Sequence, residues 1–211
     1  MPKLALLAAT ALLATPLAGA ATPQFSAVIT RVAADDLPHS YRPGCPVSPS
    51  QLRAVRLRHW AFDGKLHTGV LVVHATVARD VVAVFRRLYR ARFPIRRMRP
   101  VDAYRGSDEA SLAADNTSAF NCRYAVAGGP RRWSTHAFGK AIDVNPVENP
   151  YLDRGVVRPP RGRRYLDRSR RRPGMALPGG VLVEAFDGAG WSWGGRWSGS
   201  PDYQHFSATG G

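Results

Sequence analysis

The sequence predicts an α+β domain in which a small antiparallel sheet is flanked by helices. Two runs of strand-type residues, 57–62 and 67–75, lie on either side of Asp63-Gly64, a dipeptide typical of hairpin turns. Over residues 78–93 apolar side chains recur at helical spacing, with arginines on the opposite side. Strands and helices in separate segments favour an α+β fold over an alternating α/β fold.

Shorter elements follow the long helix. Pro94 cannot continue a helix and is expected to end it. A short strand is predicted over residues 99–103 and a second helix over residues 108–114. Residues 141–144 predict another short strand, on which Asp143 faces away from its two apolar neighbours.

The N-terminus has the features of a secretory signal over residues 1–20. Lys3 precedes an apolar run, residues 4–13, that is too short to cross a bilayer comfortably, and small residues follow at 18–20. A retained membrane anchor is the alternative. No later segment is apolar enough for a transmembrane helix, so we expect the mature chain to lie outside the cytoplasm.

The rest of the chain divides by composition. Residues 21–50 predict an N-terminal segment of weak periodicity, and residues 51–211 a single domain. Within that domain, residues 147–180 form an insertion rich in Pro, Gly and Arg, with eight arginines between Arg158 and Arg172. Such a stretch predicts a solvated, mobile loop, and the alternative is a basic flap that holds an anionic polymer.

The chain is strongly basic, with a formal net charge of +15 that comes almost entirely from arginine. A basic exported protein is attracted to polyanions. Nucleic acid is not expected as a partner, because the sequence has no motif that combines basic and aromatic residues for nucleic-acid recognition.

The two cysteines, Cys45 and Cys122, predict one disulfide in an exported protein. The bond would tie the N-terminal segment to the region that precedes the candidate site. Two buried free thiols are the alternative.

A catalytic metal site is suggested by two segments that contain histidine and aspartate. His136 is followed by Gly139, which permits a tight turn, and by Asp143, while His205 lies near the C-terminus. Two imidazoles and one carboxylate are a plausible catalytic zinc set with a fourth position for water. Asp202, three residues before His205, fits a general base that does not bind metal. Because the chain has six histidines, spacing alone leaves other combinations open.

The motifs around these residues are more specific in combination. STHAFGKAID, then WGGRW, then DYQHF resemble the zinc D,D-carboxypeptidase and L-alanyl-D-glutamate endopeptidase family, whose VanY-like members share the hedgehog/DD-peptidase fold. The resemblance covers roughly residues 95–207. It implies a zinc peptidase domain with Zn²⁺ on His136, Asp143 and His205, and Asp202 as general acid and base.

The resemblance also implies roles for residues before and beside the first ligand. Tyr104-Arg105 matches a Tyr-Arg pair of the family, so Tyr104 would contact the substrate and Arg105 would stabilise the developing oxyanion. Ser134 matches a serine that binds substrate or supports a ligand. Arg123 would pair with a substrate carboxylate, or else belong to a loop ordered by the disulfide.

The expected function is hydrolysis of an amide bond in a peptidoglycan stem peptide, by a secreted bacterial enzyme associated with the cell wall. The family resemblance leaves two bonds open, terminal D-Ala-D-Ala and internal L-Ala-D-Glu. Anionic wall polymers are candidate additional partners. The alternative function is a zinc-containing module that binds the cell wall without catalysis.

Overall fold

The computed structural model describes residues 24–126 and 130–210. Its first sheet is antiparallel and has the order β1-β2-β3, formed by Ala27–Arg31, Leu52–Trp60 and Leu66–His74. The predicted hairpin is confirmed as β2 and β3, although β2 begins at Leu52 rather than at residue 57. The turn with Gly64 at positive φ lies within a five-residue connection between Trp60 and Leu66.

The long helix is also confirmed, as α1 over Ala78–Arg90, and the second predicted helix is α2 over Asp108–Ala113. A third helix, α3, spans Val181–Asp187. The apolar side chains along one face of α1 are buried, and its arginines are exposed on the other side, as predicted. The predicted strand at residues 99–103 is wrong, because Val101–Tyr104 forms a turn of 3₁₀ helix there.

A second antiparallel sheet positions the candidate site. It has the order β4-β8-β7, with β4 at Ala141–Asp143, β7 at Ser192–Trp193 and β8 at His205–Ser207. Its apolar side chains, Ile142 and Phe206 among them, join a core that also contains the inner faces of the first sheet, α1 and α3. The segments that carry Asp143 and His205 are therefore anchored in the largest hydrophobic cluster among the described residues.

The opposite face of the first sheet is covered by the N-terminal segment. A smaller cluster here includes Leu37, Leu52, Val72 and Phe120. The predicted disulfide is present, and it links Cys45 to Cys122 across 77 residues of sequence. Part of the segment that the sequence analysis leaves without secondary structure forms β1, which pairs with β2 along its whole length.

The arginine-rich insertion is folded, so the prediction of a solvated, mobile loop is wrong. It contains a two-stranded hairpin, β5 at Tyr151–Asp153 and β6 at Val156–Arg158, followed by a 3₁₀ helix at Pro160–Tyr165. Val147, Tyr165 and Met175 form a small buried cluster beneath it. The strands are three residues long, which is too short for a periodic pattern to be visible in the sequence.

The predicted secretory signal lies outside the described residues. None of the helices within residues 24–126 and 130–210 is long and apolar enough to cross a membrane. The structure thus confirms the α+β class that the sequence predicts, with Asp143 and His205 on short antiparallel strands.

Candidate metal centre

His136 lies in a 3₁₀ helix, Thr135–Phe138, whose ends are fixed by its neighbours. The hydroxyl of Ser134 accepts a hydrogen bond from the backbone N–H of His136 at 3.3 Å. At the other end, Gly139 has a φ of +64°, and a Cβ there would lie 2.7 Å from the backbone nitrogen of His74. Only glycine fits both the backbone conformation and the close approach, so this motif holds the histidine in one place.

Asp143 and His205 are brought together by strand pairing. They lie opposite each other in the register of β4 and β8, and cross-strand partners have side chains in contact. Asp143 also pairs with Ser118. The backbone N–H of each residue donates a hydrogen bond to the carbonyl of the other. Residues far apart in sequence are thereby fixed on one small sheet.

The three side chains converge on one point. His136 Nε2 lies 3.2 Å from Asp143 Oδ2 and 3.2 Å from His205 Nδ1, and His205 Nδ1 lies 3.2 Å from Asp143 Oδ1. All three residues are buried. This triad is a group able to hold a metal ion, because its candidate ligand atoms all lie within 4.8 Å of one another.

Hydrogen bonds behind the two imidazoles orient them toward that point. His136 Nδ1 lies 2.7 Å from the carbonyl oxygen of Ala119, which can only accept, so Nδ1 carries the proton and Nε2 is left with a free lone pair. His205 Nε2 lies 3.4 Å from the hydroxyl of Thr135, so Nδ1 is the ring nitrogen that faces His136 and Asp143. Such outer partners are what fixes metal-binding histidines in their ligating tautomer.

The electrostatics of the triad follow from its burial. Burial by itself opposes protonation of His136, but the charge and hydrogen bond of Asp143 outweigh it and raise the pKa of His136. Burial would likewise raise the pKa of Asp143, yet its two histidine neighbours prevail and hold that pKa far below the usual range. Asp143 is therefore an anion, ready to balance a cation at the convergence point.

Asp202 lies beside the triad without being part of it. Its side chain is buried, and its Oδ1 has no hydrogen-bond partner among the described residues. Burial, and next the charge of Asp143, raise the pKa of Asp202 to about 7. Gly194 allows the close packing here, because a Cβ at that position would lie 2.7 Å from the backbone oxygen of Asp202.

A cleft of about 740 Å³ opens onto these residues. The β5–β6 hairpin forms one wall, and Arg123, Trp133 and Trp197 also contribute to its lining. Arg123 Nε lies 2.9 Å from Asp108 Oδ1, at an angle that makes the contact an ion pair rather than a hydrogen bond. Ser134 lines the cleft too, so the structure brings it and Arg123 to the site.

Tyr104 and Arg105 are not among the residues that line this cleft. Arg105 follows the 3₁₀ helix Val101–Tyr104 in a left-handed backbone conformation, with φ at 54°, and it is exposed to solvent. The geometry therefore gives no support to the oxyanion role predicted for Arg105. Arg123, which the sequence analysis assigned to substrate binding, does line the cleft, as do Arg132 and Arg158.

The sequence analysis missed several contributors to the site. Thr135 supports His205 through its hydroxyl, and it could have been noticed because it lies next to a predicted ligand. The contact with Ala119 uses its backbone carbonyl, so the residue type gives no indication of it in the sequence. Trp197, the last residue of the motif WGGRW, lines the cleft, and its ring centroid lies 5.3 Å from that of His205.

With the geometry established, comparison with known proteins becomes informative. Residues 127–208 match the family model described as D-alanyl-D-alanine carboxypeptidase. This match supports the family resemblance over the part that contains STHAFGKAID, WGGRW and DYQHF, and it does not cover residues 95–126. The triad and Asp202 lie inside the matched segment, whereas Arg105 and Arg123 precede it. No curated protein and no solved structure gives a significant match to the chain.

Proposed function

We propose that the chain is a zinc-dependent peptidase that hydrolyses an amide bond in peptidoglycan stem peptides. The observation that carries the proposal is the pairing of a three-donor triad with a buried, unpartnered carboxylate at the base of a cleft. The carboxypeptidase match over residues 127–208 supports a peptidase independently of that geometry. An enzyme of this class is expected to act outside the cytoplasm, at the bacterial cell wall.

The donor set fits zinc. His136 Nε2, one oxygen of Asp143 and His205 Nδ1 would hold it: the two nitrogens lie 3.2 Å apart, and each lies 3.2 Å from a different oxygen of Asp143. Ligand bonds of about 2.0–2.2 Å at tetrahedral angles place donor atoms about 3.3–3.6 Å apart, so little movement is needed. When bound, zinc supplies a Lewis acid and a water of lowered pKa.

Asp202 is proposed as the general base and then the general acid. Its free Oδ1 can accept a proton from the attacking water and deliver it to the nitrogen of the departing amine. A pKa near 7 suits both transfers, because the group can be ionised for the first and protonated for the second at neutral pH. The burial of this carboxylate thus has a chemical use.

Arg123 is proposed to stabilise the negative charge that develops on the scissile carbonyl oxygen. It is a fixed cation in the cleft, held by Asp108, and its charge acts on both His136 and Asp202. Positioned charge of this kind is most effective where charge appears only in the transition state. Ser134, which caps the helix of His136, is proposed to support the ligand rather than to react.

The arginines of the cleft suit a substrate that carries a free carboxylate next to the reacting amide, with a terminal D-Ala-D-Ala bond as the first candidate. Arg132 and Arg158 also line the cleft, and a guanidinium beside the reacting bond would pair with the free carboxylate of a C-terminal residue. The α-carboxylate of D-Glu in an L-Ala-D-Glu bond is also free when D-Glu is joined to the next residue through its γ-carboxyl, so these arginines do not separate the two bonds. Hydrolysis of the L-Ala-D-Glu bond remains the second candidate of the same chemistry.

A zinc-containing binding module without catalysis is the alternative function. A binding module would gain nothing from Asp202, because a buried carboxylate with an unpaired oxygen is costly to maintain. Active sites, in contrast, commonly carry such groups. The position of Asp202 therefore favours an enzyme.

Mass spectrometry of purified muropeptides after incubation with the protein tests the proposal. Loss of one terminal alanine would establish a carboxypeptidase, and release of L-Ala from the remaining peptide would establish an endopeptidase. The Asp202→Asn variant serves as the control for a contaminating hydrolase. Unchanged muropeptides with the zinc-loaded wild-type protein would favour the binding module.

A further inference from the structure

A second cavity, of about 360 Å³, adjoins the cleft and is lined largely by polar residues. We call it the arginine basin, after the four guanidinium side chains that surround it: Arg96, Arg97, Arg161 and Arg164. Ala113 borders both cavities, and Pro160, which lines the cleft, is followed directly by Arg161. A long substrate could therefore occupy both cavities at once.

One of the four arginines is compensated and held in place. Arg96 Nε lies 3.4 Å from Asp115 Oδ2, and its Nη2 lies 3.6 Å from Glu148 Oε1. Its guanidinium also covers the ring of Phe62 at 3.8 Å from the centroid. Arg96 is thus a fixed donor, and the two carboxylates of the basin are directed to it.

The other three arginines have no acidic partner within the described part of the chain. Arg161 donates a long hydrogen bond, 3.5 Å, to the carbonyl of Ala113, and Arg164 lies over the ring of Tyr165. The Arg97 side chain, which also lines the basin, neither donates a hydrogen bond nor covers an aromatic ring within residues 24–126 and 130–210. Three cations around one small cavity repel each other unless an anion lies between them. Their arrangement is therefore that of a site for an anion.

The floor of the basin carries less negative charge than its two carboxylates suggest. Glu148 is completely buried, and its Oε2 has no hydrogen-bond partner among the residues described. Burial, and next the neighbouring Asp115, raise the pKa of Glu148 to about 7. Near neutral pH the floor therefore holds between one and two negative charges, against four guanidinium groups.

We propose that the arginine basin binds phosphate oxyanions, and specifically the phosphodiester groups of an anionic polymer. Guanidinium groups match phosphate oxygens through paired hydrogen bonds, and several of them around one cavity discriminate phosphate from a single carboxylate. A polymer that enters the basin would be held next to the cleft. The site does not depend on the proposed peptidase activity, because it uses none of the triad, Asp202 or Arg123.

Titration calorimetry at low salt tests the proposal with two probes, a synthetic oligo(glycerol phosphate) and inorganic phosphate. The double variant Arg161→Gln/Arg164→Gln should bind the oligomer at least about tenfold more weakly than the wild type. The control is Arg163→Gln/Arg171→Gln, which removes the same charge from exposed positions of the same segment outside the basin. That control should change the affinity by less than about threefold. Thermal unfolding of both variants checks that they are folded.

Stronger binding of the oligomer than of inorganic phosphate would assign the basin to a polymer. Equal binding of the two probes, if weakened by the basin variant alone, would assign it to a free phosphate group and refute the polymer. Equal losses in both double variants would show general charge attraction and overturn the site, as would an absence of binding by the wild type. Because no turnover is measured, these outcomes leave the peptidase proposal untouched.

Discussion

At the scale of single residues, the site depends on how hydrogen bonds orient its donors. The Ala119 carbonyl and the Thr135 hydroxyl occupy the outward nitrogens of the two imidazoles, so the inward nitrogens share one point with Asp143. Asp202 is close but keeps a free oxygen. Binding and proton transfer are thus assigned to different side chains, and substitutions can separate them.

Asp202→Asn should retain the metal and lose most of its turnover. The amide is close in size to the carboxylate but cannot accept the proton of the attacking water, and general base catalysis contributes about 10²–10⁴-fold. Metal content and the rate of stem-peptide hydrolysis are the two measurements. Asp167→Asn, in an exposed loop, is the matched control. Hydrolysis by Asp202→Asn at the wild-type rate would remove Asp202 from the mechanism.

Arg123→Gln and Arg105→Gln should differ in their effects on turnover. Arg123 lines the cleft and Arg105 does not, so only the first should lower kcat, by about 10²–10³-fold if it stabilises the oxyanion. Steady-state kinetics on the same peptide measures both variants. The opposite order of effects would restore the family-based prediction for Arg105.

Glu148→Gln should change how stability depends on pH. The pKa of Glu148 is raised from 4.5 to about 7, so the folded state binds the proton more tightly than the unfolded state does. Its contribution to stability is complete below pH 4.5 and is lost as the pH rises to 7, by up to about 3 kcal/mol. Urea unfolding at pH 5 and pH 8 should show a smaller loss for Glu148→Gln than for the wild type. Equal losses in the two proteins would contradict the raised pKa.

At the scale of elements, the disulfide and its surroundings hold the segment that carries Arg123. Cys122 N–H donates to the carbonyl of Ser40, and Arg42 Nη1 donates to the carbonyl of Cys122 at 2.6 Å. The N-terminal segment therefore supports one wall of the cleft from behind. This element belongs to the architecture of the site although it contributes no reacting group.

The double variant Cys45→Ser/Cys122→Ser should be less stable by up to roughly 4 kcal/mol. The bond closes a loop of 77 residues, and the entropy of the unfolded chain rises when it is removed. Urea unfolding of the oxidised wild type and of the variant measures the difference. Identical unfolding midpoints with equal slopes would show that the bond contributes nothing to stability.

At the scale of the whole molecule, the sequence predicted elements whose pattern repeats and missed those whose pattern does not. The helix α1 has 13 residues with periodic burial, about three and a half turns, and the predicted range 78–93 differs from it by three residues at the C-terminal end. In β1, four of five residues are exposed, so no alternation marks it as a strand. The β5–β6 hairpin is hidden by its short strands, and its buried residues are separated by arginines.

The residues of the candidate site also differ in how well the sequence predicts them. His136, Asp143, Asp202 and His205 lie in dense motifs, and the structure brings all four together. Arg105 was selected by a two-residue match, which is weak in a chain with so many arginines. Only the three-dimensional arrangement shows that Arg123 reaches the cleft and that the insertion folds into a wall of the cleft and a second basin.

Hydrolysis is proposed to depend on a metal ion held by His136, Asp143 and His205. The most direct measurement is the turnover of a stem peptide while zinc is titrated into metal-free protein. Activity should be absent at first, rise in proportion to zinc and level off at about one ion per chain. His136→Ala should not respond, whereas His39→Ala, an exposed histidine, should match the wild type. Full turnover by the metal-free protein would contradict the account.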